Sequence, residues 1–419
     1  MVTLMPERLL VLGASALRGA AFATWHRMGL EIVLVDGVSA ARYDDLADEC
    51  WAHDPRDGSA DVEAIAAVAR TCDGLTTLAD DSQATAAALA EDLGLPGIGR
   101  AAGAAARSKA VQRALCGEAG MPSPKWSTVR GPGDIRAYYA QERPPAVLKP
   151  VDGTGGSGVI PVHDLDDALR QWPVVRSLSR SRTAVIEDRV TGREVCVEAV
   201  VVGGRPVFVS VAAADHLDGP GFVCVSGRYA SVSDDHPVAV ANAQRLATAL
   251  GIDEAILHAE FKVTDRGWVI LETAIRPGGA FVPELTQRVS GIDLYEIQAL
   301  LALGRSEEVL DTIRRKSGTG TAPHAQVVYL VAAGQVRRFV PPAHILPRFS
   351  DVRVVRQQAG PGQRVREPLS DGGRAGYVLG WGSDPRRLDA QLREAGALLC
   401  REMGLSTPLD NPTVRQGAA

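Results

Sequence analysis

The amino-acid sequence predicts a multidomain protein that combines α/β and α+β architecture. Its 419 residues amount to nearly three domains at roughly 150 residues each. The first hundred residues alternate apolar strand patterns with helical segments, which is typical of a doubly wound parallel sheet. After about Met121 the pattern changes to short strands joined by hairpin turns, which indicates antiparallel sheets in the rest of the chain.

The first unit contains three strand patterns and four helical patterns. Strands are predicted at residues 8–13, 31–36 and 74–78, and helices at 18–28, 61–72, 82–93 and 101–119. The last of these helices is rich in alanine and ends at Gly120, because two prolines follow that cannot continue a helix.

The turn after the first strand resembles a dinucleotide-binding loop only in part. It reads GASALRG from Gly13, and Asp36 ends the next strand, where such a fold places its ribose-binding acid. The second and third glycines of that fingerprint are replaced by Ser15 and Arg18, which would hold a pyrophosphate away from the backbone. The motif therefore favours a structural strand–turn–helix, and a nicotinamide-binding oxidoreductase is kept as the alternative of a different class.

Composition excludes several classes of protein. With 45 Lys and Arg against 50 Asp and Glu, the net charge is −5, which does not suit a nucleic-acid-binding surface. No apolar run is long enough for a membrane span, and the N-terminus carries no secretory pattern. The six cysteines are scattered without metal-ligand spacing and are expected to be reduced thiols, so we expect a cytoplasmic protein.

The later elements are predicted from the same patterns. Strands are expected at residues 146–149, 159–162, 183–187, 194–202, 206–212, 256–263 and 268–273, and helices at 164–171, 237–250 and 384–402. The strands at 194–202 and 206–212 meet at Gly203 and Gly204, a two-residue hairpin signal. Residues from about 318 onward are expected to form a smaller α+β unit.

A glycine-rich loop follows Lys149, which ends an apolar strand. The loop reads DGTGGSG from Asp152, and its Gly155, Gly156 and Ser157 amides can turn toward an anion. It is not a Walker loop, because no Lys-Ser or Lys-Thr follows the last glycine. A lysine beside such a loop suits contact with phosphate oxygens. The alternative interpretation is a mobile surface hairpin.

The hairpin at residues 256–273 is the most informative feature. If it centres on Arg266, Glu260 and Glu272 face one another across the ladder, where like charges are unfavourable. A cation should lie between them, and two carboxylates beside a phosphate loop indicate Mg²⁺. The alternatives are two solvated acids, or pairing with Lys262 or Arg266. A register shift of one residue would remove the argument.

Three further features carry weaker signals. Arg276 follows the second acid and could hold a carboxylate or a developing phosphoryl charge bidentately, or form a surface ion pair. In the segment 184–194, Glu194 could accept hydrogen bonds from ribose hydroxyls, and the backbone up to Val190 could contact an adenine edge. Lys109, on the alanine-rich helix, would by itself be a solvated residue.

In combination, the order of these motifs resembles the ATP-grasp superfamily, and more narrowly its L-amino-acid ligase branch, the carboxylate–amine ligases that make dipeptides. The resemblance covers nearly the whole chain. It rests on Lys109 with Arg113, AGMPSP at 119–124, VLKP at 147–150, the glycine loop, Glu187 to Glu194, HAE at 258–260, ETAIRPGG at 272–279, PELT at 283–286, GIDL at 291–294 and GYVLG at 376–380.

The resemblance implies a domain organisation. A Rossmann-like pre-ATP domain would span residues 1–105, and a two-lobed ATP-grasp domain 106–317. The small lobe of that domain would cover about 121–190 and the large lobe about 191–317. A small α+β C-terminal ligase subdomain would span 318–405, and 406–419 would be a flexible tail.

The resemblance also implies roles for individual residues. ATP would phosphorylate a carboxylate, and an amine would attack the resulting acyl phosphate. The implied cofactor-binding residues are Lys109 and Lys149 for the phosphates, Gly155, Gly156 and Ser157 of the loop, Glu187 and Val190 for adenine, Glu194 for ribose, and His258. Glu260 and Glu272 would hold one or two Mg²⁺ ions, with Mn²⁺ as an alternative. Arg276 and the Gly279 amide would be catalytic and would steady the acyl phosphate, a task worth about 3–4 kcal/mol per donor.

One position departs from the wider family, and substrate choice stays open. Many ATP-grasp enzymes carry Asn where this chain has Ala274, although amino-acid ligases often carry Gly there, so binding of a second ion is in question. The expected partners are a small carboxylate and an amine, with a homodimer as one assembly and no nucleic acid or membrane. An ATP-grasp carboxylase and a ligase that loads a carrier-protein thiol are the alternatives. The loop at residues 215–222, with His216 and Phe222, is expected to border the acceptor pocket.

Overall fold

A computed structural model describes residues 6–13, 18–37, 45–140 and 145–407. The middle of the GASALRG turn, residues 14–17, lies outside this range, as does most of the predicted tail, residues 408–419. Within the described part of the chain, no helix is long and apolar enough to cross a membrane.

The N-terminal sheet is parallel, as predicted. Its strands are β1 (Arg8–Leu12), β2 (Glu31–Val35), β3 (Glu49–Trp51) and β4 (Gly74–Thr77), in the order β3-β2-β1-β4. Helices α1 (Gly19–Arg27), α2 (Val62–Ala69) and α3 (Gln83–Leu93) cover it. Both faces are buried, because Leu9 and Val11 pack in the α1 cluster while Leu10 and Leu12 pack in the cluster of α2 and α3. The three-residue β3 was not predicted, since its pattern is short and partly exposed.

The alanine-rich segment forms two helices, so the single helix predicted at 101–119 was wrong. Helix α4 (Arg100–Arg107) and helix α5 (Lys109–Glu118) are separated by Ser108, whose backbone is extended. The Ser108 side chain accepts a hydrogen bond from the Val111 amide and so caps α5, a role for which serine is well suited. This break places Lys109 at the first position of α5.

A small antiparallel sheet follows. It contains β5 (Trp126–Val129), β6 (Ala146–Pro150), β7 (Ile160–Val162) and β8 (Ala184–Asp188) in the order β5-β8-β6-β7, with helices α6 (Pro132–Tyr138) and α7 (Leu165–Leu178). The Asp164 carboxylate accepts a hydrogen bond from the Asp167 amide at 2.8 Å and so caps α7. The pairing of β6 with β8 brings Lys149 and Glu187 to the same region of this sheet.

Within the described residues the large sheet has eight strands, and the last of them in sequence ends at Gly382. Its strands are β9 (Arg193–Val202), β10 (Arg205–His216), β11 (Cys224–Ala230), β12 (Ala255–Thr264), β13 (Gly267–Ala274), β14 (His324–Tyr329), β16 (Val352–Gln357) and β18 (Gly376–Gly382); β15 (Gly334–Gln335) and β17 (Arg364–Val365) pair separately. The order is β13-β12-β9-β10-β11-β14-β18-β16. The strands of the predicted C-terminal unit therefore extend this sheet through the contact of β14 with β11.

Five helices pack on or beside the large sheet. They are α8 (His236–Leu250), α9 (Val282–Ser290), α10 (Leu294–Ala302), α11 (Ser306–Lys316) and α12 (Pro385–Met403). Helix α10 also packs on β4 and α1, and so joins the large sheet to the N-terminal sheet.

The hairpin of β12 and β13 has a tighter turn than predicted, but its carboxylates face one another. Thr264 pairs with Gly267, so the loop has two residues and does not centre on Arg266. A bulge at Leu271 inserts one residue and restores the pairing of Glu260 with Glu272. The predicted opposition of these two acids is confirmed, and the bulge is the reason that it holds.

Candidate active site

A cleft of about 530 Å³ lies between the small and large sheets. Every residue predicted for the site lines it: Lys109, Lys149, Gly155, Gly156, Ser157, Glu187, Val190, Glu194, His258, Glu260, Glu272, Arg276 and Gly279. Of the loop expected to border an acceptor pocket, His216, Gly221 and Phe222 also line the cleft. Residues from five separate stretches of sequence therefore meet at one concave surface.

Two cations from different elements hold Glu187. Lys149 Nζ lies 2.5 Å from Glu187 Oε1, and Arg113 Nε donates to Oε2 at 3.0 Å. Glu187 is 3% exposed; burial alone would raise its pKa, but Arg113 and Lys149 outweigh burial and lower the pKa. Burial lowers the pKa of Lys149. The Glu187 carboxylate thus positions Lys149, and its contact with adenine stays a prediction.

Lys109 connects the glycine loop to the acidic hairpin. Its ammonium group lies 2.8 Å from Glu272 Oε1 and donates to the Gly153 carbonyl at 2.7 Å. The side chain is buried and lines the cleft, as the family resemblance implied, whereas the lysine taken alone would have been expected in solvent.

The glycine loop needs its glycines. Gly155 and Gly156 have φ values of +57° and +73°, a region that side chains disfavour. A Cβ at Gly156 would lie 2.4 Å from the carbonyl oxygen of Gly221. The Asp371 amide also donates to the Gly155 carbonyl at 3.1 Å, so two other segments of the large-sheet unit cover this loop.

Glu260 and Glu272 present an oxygen-rich, partly open surface. Their side chains are 37% and 38% exposed, and the cations nearest to them are Lys109 and His258. Carboxylate oxygens that face an open cleft beside two buried lysines are a donor set that fits Mg²⁺.

His258 is held from behind by Glu198. Its Nδ1 contacts a Glu198 carboxylate oxygen, and its Nε2 lies 3.5 Å from Glu260 Oε1. Burial would lower the pKa of His258, but Glu198 and Glu260 outweigh burial and raise it to about 10. Without a bound cation, the imidazolium therefore supplies positive charge to Glu260.

Glu194 also lines the cleft and has two cationic neighbours. Lys262 Nζ is 2.9 Å from its Oε2, and His216 Nε2 is 3.4 Å from its Oε1. Burial opposes protonation of His216, but the Glu194 carboxylate raises the pKa of that imidazole to about 10. The oxygens of a carboxyl group in this position can accept hydrogen bonds from a ligand's hydroxyl groups.

Arg276 has a partner that the sequence did not indicate. Its Nε and Nη2 donate to the two carboxylate oxygens of Asp80 at 2.7 and 2.5 Å. Burial would raise the pKa of Asp80, but the Arg276 guanidinium outweighs burial and lowers it. Asp80 follows β4 at the carboxyl end of the parallel sheet, where ligand-binding residues concentrate, and that rule could have identified it.

The loop after Arg276 is fixed by three residues that were also missed. Gly278 donates to Glu198 Oε2 at 3.0 Å and accepts from Arg18 Nη1 at 2.8 Å, and the Tyr329 hydroxyl donates to the Ala280 carbonyl. Ala280 and the residue after it have φ values of +52° and +73°, a strained region for residues other than glycine. Such strain is typical of functional sites.

Comparisons with known proteins agree with this geometry. Residues 142–284 match the family model of the ATP-grasp domain, and residues 22–97 match that of the ATP-grasp N-terminal domain. The chain is 23% identical over 257 residues to dapdiamide A synthase of Enterobacter agglomerans, covering 60% of each protein. It is 26% identical over 277 residues to alanine–anticapsin ligase of Bacillus subtilis, covering 59% of this chain and 58% of that protein.

A solved structure extends the likeness to nearly the whole fold. The L-amino acid ligase from Bacillus licheniformis superposes with a TM-score of 0.76 and 20% identity, covering 94% of this chain and 98% of that one. The sequence matches, by contrast, span less than two thirds of the curated relatives' length.

Proposed function

We propose that this chain, whose residues 22–97 and 142–284 match ATP-grasp domain models, is a carboxylate–amine ligase that couples a small carboxylate to an amine with release of ADP and phosphate. The carboxylate is an amino acid or a close analogue. The observation that carries the proposal is the opposition of Glu260 and Glu272 beside a lysine-flanked glycine loop in one cleft.

ATP is the first substrate, and the cleft supplies complementary groups for each of its parts. Lys109 and Lys149 offer charge to the phosphate oxygens, and the glycine loop offers backbone amides. Glu194 accepts from ribose hydroxyls, and the backbone near Val190 contacts the adenine edge. Glu187 keeps Lys149 in place through the ion pair described above.

Glu260 and Glu272 would hold Mg²⁺. A bound ion would neutralise charge that develops on the transferred phosphoryl group. Because Ala274 offers no side-chain oxygen in place of the Asn of many relatives, any second ion has fewer protein ligands.

The reaction then proceeds in two steps. A carboxylate oxygen of the second substrate attacks the terminal phosphorus, the bond to ADP breaks, and an acyl phosphate forms. The amine then attacks the acyl carbon. The bond from this carbon to the bridging oxygen breaks, so phosphate leaves with the carboxylate oxygen that attacked phosphorus in the first step. The amine loses a proton to solvent as the amide forms. Arg276 and the Gly279 amide, which both line the cleft, would steady the acyl phosphate and the tetrahedral species, and Asp80 would orient Arg276 through its hydrogen bond.

The test is an ADP-release screen of paired amino acids, small acids and amines, with mass spectrometry of the products. The expected product is an amide whose mass equals both substrates less one water. Glu272→Gln should abolish substrate-driven ADP release, whereas the exposed Glu308→Gln should leave it unchanged.

Other outcomes identify the alternatives. Phosphate release that needs bicarbonate but no amine would indicate a carboxylase. A mass gain on a carrier protein would indicate a thiol acceptor, and a fluorescence change with NADH but no ATP binding would indicate an oxidoreductase. Unchanged turnover in Glu272→Gln would contradict the proposed mechanism.

A further inference from the structure

Two neighbouring strands carry a compact block of polar side chains in the cleft. In the antiparallel pairing of β9 with β12, Cys196 lies opposite Glu260, and Glu198 lies opposite His258. Residues two apart on a strand point to the same face of a sheet, so these four side chains form a square on one face. Cys196, His258 and Glu260 line the cleft, and Glu198 is buried behind them.

Three of these side chains converge on one point. Three possible ligand atoms lie within 4.8 Å of one another: a ring nitrogen of His258, a carboxylate oxygen of Glu260 and the thiol sulfur of Cys196. His258 Nε2 is the nitrogen that faces Glu260, because Nδ1 is engaged by Glu198. A carboxylate on the far nitrogen of a histidine fixes the ring for metal binding and makes it a better ligand.

We propose that Cys196, His258 and Glu260 form a binding site for a borderline-soft divalent cation such as Zn²⁺, with the fourth position open to the cleft. A set of one sulfur, one nitrogen and one oxygen suits Zn²⁺ and does not suit Mg²⁺, which prefers oxygen ligands throughout. Binding releases two protons to solvent, one from the Cys196 thiol and one from Nε2 of the His258 imidazolium. The block is thus a metal site with a chemistry different from that of the two opposed carboxylates.

The site shares Glu260 with the pair that would hold Mg²⁺. An ion held by sulfur and nitrogen would take Glu260 away from Glu272 and leave that pair incomplete. Zn²⁺ should therefore inhibit the ligase at saturating Mg²⁺. This inhibitory consequence rests on the proposed function, whereas the binding of the ion does not.

The direct test is a titration of the metal-free, full-length protein with Co²⁺, which substitutes for Zn²⁺ and absorbs in the near ultraviolet when a thiolate binds it. The wild type should show this charge-transfer band. Cys196→Ser and Cys196→Ala should lack it, and Cys224→Ser, which removes the other thiol of the same cleft, should keep it. A band that persists without Cys196, or one that depends on Cys224, would overturn the assignment.

The second test measures Zn²⁺ inhibition of Mg²⁺-supported ADP release. Loss of one ligand should raise the half-inhibiting Zn²⁺ concentration in Cys196→Ser at least about tenfold, since even loss of a supporting outer group costs that much affinity. Cys224→Ser should match the wild type. Equal inhibition of the wild type, Cys196→Ser and Cys224→Ser would show that Zn²⁺ does not inhibit through this site. If the cobalt titration were positive in that case, the metal site would stand and only its inhibitory role would be rejected. If no ADP release is found in any protein, the proposed function fails while the cobalt result still decides the site.

Discussion

Replacing Asp80 by Asn should weaken both folding and catalysis, because Asp80 is the buried partner of Arg276. The two residues share a bidentate pair at 2.7 and 2.5 Å, with side chains that are 27% and 10% exposed. Removing one partner of a fully buried pair costs about 3–5 kcal/mol. Because Asp80 is about a quarter exposed, solvent screens the pair, and we expect a loss of about 2–3 kcal/mol in the free energy of unfolding. A displaced Arg276 should also lower kcat by about a hundredfold.

Urea denaturation of the wild type, Asp80→Asn, Arg276→Gln and the double variant gives the coupling energy between the two residues. It should exceed about 1 kcal/mol, because the residues are in direct contact. Asp81→Asn is the matched control: burial raises the pKa of Asp81, so removing its charge should not destabilise the fold. Equal effects of Asp80→Asn and Asp81→Asn, together with a coupling energy near zero, would refute the argument.

Three other expectations can be tested on the same preparation. Gly278→Ala should lower the free energy of unfolding in urea by about 1–3 kcal/mol, because the added Cβ would lie 2.7 Å from side-chain atoms of Glu198 and His258. Gly279→Ala is the control and should be as stable as the wild type, because the nearest atom to its Cβ would be 3.9 Å away. Equal destabilisation by the two substitutions would contradict this contrast. Glu187→Gln should lower the free energy of unfolding by about 3–5 kcal/mol, because it leaves the buried cations Arg113 and Lys149 without their shared carboxylate. It should also weaken ATP binding measured by calorimetry. A variant as stable as the wild type would show that the acid is dispensable. The raised pKa of His258 contributes stability that is fully present below about pH 6.5 and lost as pH rises through about 10. In Mg²⁺-free buffer the difference in unfolding free energy between the wild type and His258→Gln should therefore shrink from pH 7 to pH 10.5, and a constant difference would contradict the assignment.

Local patterns were sufficient for the parts of the site that lie on one hairpin or one loop. The glycine loop after Lys149 is visible as a run of residues, and the opposition of Glu260 and Glu272 was predicted from a three-residue turn; it holds because the bulge at Leu271 offsets the tighter two-residue turn. Periodicity could not locate the bulge at Leu271, because a bulge adds one residue without changing the apolar pattern. Similarly, the extended backbone of Ser108 is hidden in an alanine-rich segment in which most residues favour a helix.

The contacts between distant segments could not be predicted from the sequence. Asp80 meets Arg276, and Arg18 and Tyr329 meet the loop after it, only because α10 joins the N-terminal sheet to the large sheet and β14 extends the latter. Glu198 occupies an interior strand position, where an apolar residue is usual. An acid at such a position was the one sequence feature that could have indicated its role in the site. These residues hold Arg276 and the loop after it, and their partners are determined by the tertiary fold.

The most direct test of the proposed reaction follows the oxygen atoms of the carboxylate substrate. A substrate labelled with oxygen-18 in its carboxylate is incubated with ATP, Mg²⁺ and the amine, and the released phosphate is analysed by mass spectrometry. If an acyl phosphate forms, one labelled oxygen passes to each phosphate as the amide is made. Unlabelled phosphate released along with the amide would show that the carboxylate is not activated by phosphorylation, and would contradict the proposed mechanism.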